Sequence, residues 1–386
     1  MELLTDRLHD AGYAVAYDGV WHVLRHESDD RTGEYAHFQQ RSFPYQEYAA
    51  AAERAGQDPA RSRAPVRTPS DEGIQDWSFS VPRPLALTGD EHQHPDRQCA
   101  HSVAEFIRNH ATDGPFAAWA SFGAPHPPLL VPEAFFGRHS PAEVAPPVGL
   151  FESADGRPRA ATSDAPGFQS VQGWGWDDWA RAIAGYYDYT AFADDCMRIV
   201  LDALDEAGCA DNTLVIATGD HGEMLGAHNL YQKGVLYEPA CCLAAVVRGP
   251  GVPAGTSDRL LSHVDLAPSV LNYCGLPALA QAEGSSFLDS ETGIAGEARD
   301  FLCLEFNGYI KGGNHMRGVV SDRYKYIFYR NGEQELFDLE ADPDECRNLV
   351  ADEALAAVLQ QHRDALAEWM NQTDDFLEDE FRDAVP

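Results

Sequence analysis

Apolar positions along the chain change period several times, and each change marks an element. Leu3, Leu4 and Leu8 sit at helical spacing and Gly12 follows as a stop, which predicts a helix over residues 2–10. Tyr13-Ala14-Val15-Ala16-Tyr17 then reads as a strand. Residues 26–98 are polar and weakly periodic, so they read as a long excursion rather than core. A helix is expected over 101–110 and a strand over Phe116-Ala117-Ala118-Trp119-Ala120-Ser121-Phe122. A second excursion, rich in Pro and Gly, spans 137–175. Over 177–208 one long helix, or two, places Tyr186, Tyr187, Phe192, Met197, Val200, Leu201 and Leu204 on its apolar face. Leu214-Val215-Ile216-Ala217 is a continuous apolar run, the pattern of a strand buried on both faces. A strand over 243–247 and a helix over 264–273 follow.

Helix and strand alternate to this point, which predicts an α/β domain built on a mostly parallel sheet flanked by helices. Beyond residue 298 the pattern shifts to short strands over 300–306, 315–320, 324–329 and 335–338, then a helix over 353–370. The expected division is therefore an α/β domain over 1–298 and a C-terminal α+β subdomain over 299–386, a small antiparallel sheet plus helix.

Composition narrows the partners. At 386 residues the chain can bury a large core. A net charge of −34 argues against nucleic acid and anionic membrane surfaces, both of which need basic patches. Solubility, or adaptation to high salt, is the simpler account of that charge. Any anion site must then concentrate positive charge locally. Eight cysteines show no CxxC pair and no zinc spacing, which fits a reducing, cytoplasmic compartment. Cys241 and Cys242 lie in an apolar run and read as buried thiols. No stretch is apolar enough to span a membrane, and the first residues lack signal-peptide character.

The richest chemistry follows the apolar run at 214–217. Asp220 and His221 place an oxygen and an imidazole nitrogen side by side, a ligand pair for one divalent cation. Gly219 and Gly222 allow the backbone to turn around them. Lys233 is the first of only three lysines in the chain, and its ammonium suits an anionic oxygen held beside a metal. Taken alone, Asp-His-Gly is also the signature of a helix start or a turn.

The whole stretch resembles the sulfatase family of the alkaline phosphatase superfamily. In that family a strand ends in Asp-His-Gly or Asp-Asn-Gly, followed by a Gly-His element and a lysine. Gly226, His228, Lys233, Gly234 and Tyr237-Glu238-Pro239 fall in that order here. The resemblance continues through Val247-Arg248-Gly249-Pro250-Gly251, Ser262-His263-Val264-Asp265-Leu266-Ala267-Pro268-Ser269 and Tyr324-Lys325-Tyr326-Ile327. Gly123-Ala124-Pro125-His126-Pro127-Pro128 resembles the family's Pro-His-x-Pro element, whose histidine contacts sulfate or protonates the leaving group. A histidine between prolines is rigidly presented, which suits a positioned acid, although it also fits a loop histidine packed on prolines. Asp18-Gly19-Val20-Trp21-His22 resembles Gly-Lys-Trp-His, with Val20 at the lysine position. Related phosphonate monoester hydrolases also lack that lysine.

The resemblance implies an alkaline phosphatase-like fold and hydrolysis of sulfate monoesters with one divalent cation, Ca²⁺ favoured and Mn²⁺ the alternative. It implies Asp220 and His221 as metal ligands, Lys233 on the anionic oxygens, His126 as acid or sulfate contact, and His22 as a helper near the nucleophile. His228 would support the metal loop from behind. Glu223 reads as a helix-start carboxylate. The expected partner is a small-molecule sulfate ester, with phosphate or phosphonate esters and a non-catalytic binding role as alternatives, and with a homo-oligomer left open.

Two family features are missing. Sulfatases use a formylglycine made from the cysteine of Cys-x-Pro-x-Arg, and two acidic metal ligands just after their first strand. None of the eight cysteines has Pro at +2 and Arg at +4. Ser80-Val81-Pro82-Arg83 brings its arginine one place too early, and Asp29-Asp30 follows the Trp21-His22 element instead of preceding it. The expectation is a chain that lacks the opening segment of a complete sulfatase, encodes no formylglycine, carries half a metal site and no nucleophile, and is inactive or nearly so alone. Such a truncation would also hide any signal peptide.

Overall fold

Small and β-branched residues at Ala14–Val20 make the central strand β1, preceded by helix α1 (Leu4–Asp10). The computed structural model describes residues 2–21, 32–55, 63–70, 73–80, 82–308 and 314–385. On one side β1 pairs in parallel with β2 (His37–Arg41). Helix α2 (Tyr45–Arg54), the hairpin β3 (Arg63–Ser70)–β4 (Gly73–Ser80), strand β5 (Leu85–Leu87) and helix α3 (Pro95–His110) follow. On its other side β1 pairs in parallel with β6 (Phe116–Ser121), giving the order β2-β1-β6. The polar stretch 26–98 therefore contributes a strand of the main sheet and the first turns of a long helix, and is no simple excursion. Alternation was hidden in β2, whose sequence His-Phe-Gln-Gln-Arg leaves it half-exposed at the sheet edge.

Side chains alternate across this sheet. Val15 packs toward Leu8 of α1, Tyr35, Ala117 and Trp119. Ala16 packs toward Cys99, Val103, Phe106 and Ile107 of α3, together with Phe116, Ala118 and Ala120. Strand β7 (Leu130–Pro132) pairs with β5, and after a run of turns come the short helix α4 (Pro166–Ser170) and helix α5 (Trp176–Glu206). Helix α5 is one continuous element that stops at Ala207 and a left-handed Gly208. Its buried stripe runs through Ile183, Tyr189, Phe192, Cys196, Ala203 and Leu204. Tyr187, Met197 and Leu201, expected on the apolar face, are exposed. The alanines and Cys196 form the stripe because small residues let α5 pack between α3 and the loop around Phe135.

Strand β8 (Val215–Thr218), helix α6 (Glu238–Cys241), strand β9 (Ala245–Arg248) and helix α7 (Leu266–Tyr273) complete the α/β part. β8 and β9 pair with each other, antiparallel. Val270 and Cys274, in α7 and at its end, pack on the Val15 face of the main sheet, so helices cover both faces. Cys242, expected to be a buried thiol, is exposed; its neighbour Cys241 is half-buried. All eight cysteines are free.

Strands β10 (Leu302–Asn307), β11 (His315–Val320), β12 (Tyr324–Tyr329) and β13 (Gln334–Asp338) form an antiparallel meander in sequence order. Val319, Tyr326, Phe328 and Leu336 pack on helices α8 (Ala356–Gln372) and α9 (Glu378–Ala384). Met316, Ile327, Tyr329 and Phe337 pack on Met224, Leu230, Val235, Leu236 and Tyr237. The loop that carries Lys233 thus lies on the C-terminal sheet. Among the described residues no helix is long and apolar enough to cross a membrane.

Candidate functional site

Strand β8 delivers Gly219-Asp220-His221 at its carboxyl end, where α/β sheets place their chemistry. The turn that follows is tight. Gly222 and Glu223 donate to the carbonyls of Ala240 and Pro239 at 2.8 and 2.9 Å. A Cβ on Gly222 would come within 2.1 Å of the Pro239 oxygen, so only glycine fits. His221 Nδ1 donates to the Gly222 carbonyl at 2.8 Å. That bond fixes the tautomer and leaves Nε2 with a bare lone pair, the state a metal ligand needs. Nε2 lies 3.5 Å from Asp220 Oδ2, and the Asp220 side chain is 88% exposed. The two donors converge as neighbours around one cation would. Among the described residues no group of three or more His, Cys, Asp or Glu is arranged to hold a metal.

Lys233 reaches the same place along a strained loop. Leu225, His228, Asn229 and Gln232 all adopt left-handed backbone, which costs of order 1–3 kcal/mol for a non-glycine residue. Packing on the C-terminal sheet and a carboxylate offset that strain. Glu223 Oε1 accepts from the Leu225 amide at 3.2 Å and from the Gln232 amide. Glu223 is therefore a brace across this loop and not a helix-start carboxylate, because 222–226 turns without forming a helix. Burial raises the Glu223 carboxyl to about 7. Burial lowers the Lys233 ammonium, while Glu223 and Asp220 pull it back up.

His126 arrives from the loop after β6. Its Nδ1 donates to the Pro127 carbonyl, and its ring stacks on Phe43 with centroids 4.1 Å apart at 19°. Burial, aided by Lys233 and His221, lowers its pKa to about 4. Burial and Lys233 lower His221 as well. A neutral ring donating through Nδ1 presents Nε2 as an acceptor, so in this state His126 takes a proton before it gives one.

Asp220, His221, Lys233 and His126 thus act electrostatically on one another from three separate segments. His228 faces elsewhere: it is buried against Tyr237, ring centroids 4.7 Å apart, on the side toward the C-terminal sheet. Burial lowers its pKa to about 4. His22, Asp29-Asp30, Val81 of the serine motif and Lys311 lie outside the described residues.

Several neighbours of the site were not read from the sequence. His263 Nε2 donates to the Gly219 carbonyl at 2.8 Å and bears on His221. Phe43 lies in the polar stretch after β2. Asp96 bonds the loop that carries His126. The signal for Asp96 was present, since His94-Pro95-Asp96 is a cap followed by proline at the first helical position, which places the start of α3 six residues before the expected one.

The fold and the placement of these residues define an alkaline phosphatase-like α/β architecture. A structure of a phosphonate monoester hydrolase from Agrobacterium radiobacter matches with a TM-score of 0.71 and 23% identity, over 96% of this chain and 80% of that one. A structure solved in complex with its substrate D-glucosamine-2-N,6-O-disulfate matches with a TM-score of 0.72 and 18% identity, over 100% and 83%. The chain belongs to the sulfatase family, whose family model matches residues 1–276. A second model, N-sulphoglucosamine sulphohydrolase, C-terminal, matches 226–372. An arylsulfatase from Clostridium perfringens is 27% identical over 290 residues, covering 72% of this chain and 58% of that protein. The chain spans about half the length of the curated relatives it matches.

Proposed function

We propose that this chain carries the cation- and anion-binding part of a sulfate monoester hydrolase. The observation that carries the reading is the convergence of Asp220, His221, Lys233 and His126 at the strand ends of a sulfatase-family fold. Asp220 and the bare Nε2 of His221 would hold one divalent cation, Ca²⁺ favoured and Mn²⁺ the alternative. Such a cation polarises an ester oxygen and steadies charge that develops on it. Lys233 neutralises the anionic oxygens and the leaving oxygen, which in a strongly acidic chain needs a local cation. His126, once protonated at Nε2 by solvent, would hydrogen-bond the same oxygens and donate that proton to the leaving oxygen as its bond to sulfur breaks. His22 is proposed as a further contact to the anion near the nucleophile.

No cysteine of this sequence stands in Cys-x-Pro-x-Arg, so slow or absent turnover is proposed for the 386-residue chain by itself. Phosphonate ester hydrolysis is the second reading, favoured by Val20 where a lysine would add charge. A non-catalytic anion-binding role is the third.

Calorimetric titration of Ca²⁺ and Mn²⁺ into the intact chain tests the site. One binding event that Asp220→Asn and His221→Ala each weaken about tenfold or more supports the reading. Equal binding by all three proteins refutes it. Lys233→Ala is expected to weaken sulfate or vanadate binding by about 10–100-fold, the worth of a charge-assisted hydrogen bond. On a chain completed with an opening segment that carries Cys-x-Pro-x-Arg, para-nitrophenyl sulfate compared with phenyl phosphonate esters separates the first two readings, and tight anion binding without turnover of either favours the third.

A further inference from the structure

Two backbone amides at the end of β6, Gly123 and Ala124, have left the strand ladder and point at one buried carboxylate. Asp96 is 4% exposed, yet Oδ1 accepts from Gly123 at 2.8 Å and Oδ2 from Ala124 at 2.7 Å. An amide can only donate, so both oxygens of the ionised carboxylate are used at once. Burial pushes the Asp96 carboxyl up, and the two amides and Arg41 pull it down.

Asp96 is itself held from behind. Its amide donates to His94 Nδ1 at 3.2 Å. With Nδ1 accepting, His94 donates through Nε2 to the Tyr189 hydroxyl, 3.0 Å away on α5. Burial keeps His94 neutral by lowering its pKa to about 3. From the opposite side Phe43 closes on the same loop. A Cβ on Gly123 would meet the Phe43 ring at 3.1 Å, so glycine admits that ring, and the ring then stacks on His126. Arg41, two residues before Phe43, forms a two-pronged ion pair with the fully buried Asp18 of β1.

We propose that Asp96 is a positioning residue for His126: by pinning the Gly123 and Ala124 amides while Phe43 holds the ring face, it keeps the imidazole in one tautomer with Nε2 open to the site. This deepens the proposed function, because it rests on His126 being a site residue. Asp96 is buried behind the loop and acts through the loop backbone.

The test reads the ring directly. The full chain is labelled with ¹⁵N in its histidine rings, and the His126 signals are assigned by their loss in His126→Asn. Wild type is expected to show His126 as a single Nδ1–H tautomer at neutral pH. Asp96→Asn keeps the shape but turns an NH₂ toward an amide donor, so His126 is expected to become a mixture of tautomers while the signals of the distant His362 stay in place. Phe43→Leu is expected to produce a smaller change of the same kind. An unaltered His126 tautomer in a folded Asp96→Asn protein overturns the proposal. If Asp96→Asn does not fold, Phe43→Leu and Gly123→Ala decide the matter, since each disturbs the same clamp from its other side; an unaltered tautomer in both overturns it. None of these outcomes depends on cation binding or turnover, so failure of the hydrolase reading is told apart from failure of this one.

Discussion

Strands β8 and β12 are similarly apolar, yet they live in different surroundings. In β12, Lys325 through Tyr329 are all buried, and β11 is buried throughout. In β8, Val215, Ile216 and Ala217 are only half-buried, and in the paired β9 Val246 is 64% exposed. β12 has a ladder on both sides, helices on one face and the Lys233 loop on the other. Among the described residues β8 has one ladder partner, and Val215 is its contribution to the core beside α3 and α5. An apolar run therefore states a demand for burial without stating who meets it.

The comparison extends to charge. Lys325 is fully enclosed, with Nζ 2.8 Å from Glu345 Oε1, 2.5 Å from Glu238 Oε1 and 3.1 Å from the Leu236 carbonyl. Asp220, at the open end of β8, is largely in solvent. Burial makes the C-terminal cluster structural, whereas exposure leaves Asp220 able to receive a ligand. Lys325 nonetheless serves the site, because Leu236 and Glu238 lie just beyond Lys233 on the same loop.

The largest effect expected from breaking this contrast is at Lys325. Lys325→Met strands Glu345 and Glu238 without a cation and should cost about 3–5 kcal/mol in urea unfolding. A loss below about 1 kcal/mol would mean that the cluster does not hold the two regions together. Phe328→Ala, which empties a fully buried place in β12, should cost a similar 3–5 kcal/mol.

Next comes Glu335. Tyr329 and Tyr237 donate to it at 2.6 and 3.1 Å, and burial raises its carboxyl from 4.5 to about 7. The native state then holds a proton that the unfolded chain releases. This contribution is complete below pH 4.5 and is lost as pH rises through 7, in total about 3 kcal/mol. His94 works in the opposite direction between pH 3 and 6.5, because its native pKa is depressed. The measurement is therefore a difference: urea stability of wild type minus Glu335→Gln, from pH 4.5 to 7. A flat difference would show that Glu335 is not the proton holder.

The smallest effect is expected on the exposed pair. Val246→Ala should change stability by no more than about 0.5 kcal/mol. Hydrogen exchange gives the same ranking without mutation, with amides of β11 and β12 among the slowest and those of β8 and β9 faster. Equal protection of the two pairs would contradict it.

Long helices and the C-terminal meander were legible because their apolar periods are strong. β10 to β13 fall within two residues of the sequence expectation, and α5 within two at either end. Failure came where a strand's sequence is polar. β2 joins the central sheet through backbone bonds to β1 while its side chains stay half-exposed, so no alternation announced it. The register of α5 also escaped, since a face built from alanines is selected by the space left between neighbours.

At the site, the sequence by itself singled out which residues could carry chemistry. Asp220, His221 and Lys233 stood out by type and spacing, and His126 by its resemblance to the family's Pro-His-x-Pro element. Only the tertiary structure decided how each is held. The Gly222 carbonyl sets the His221 tautomer, Phe43 and Asp96 aim His126 from 83 and 30 residues away, and a C-terminal sheet supports the strained loop of Lys233. Such partners are supplied by distant segments, and hydrogen-bond geometry and burial exist only once those segments have met.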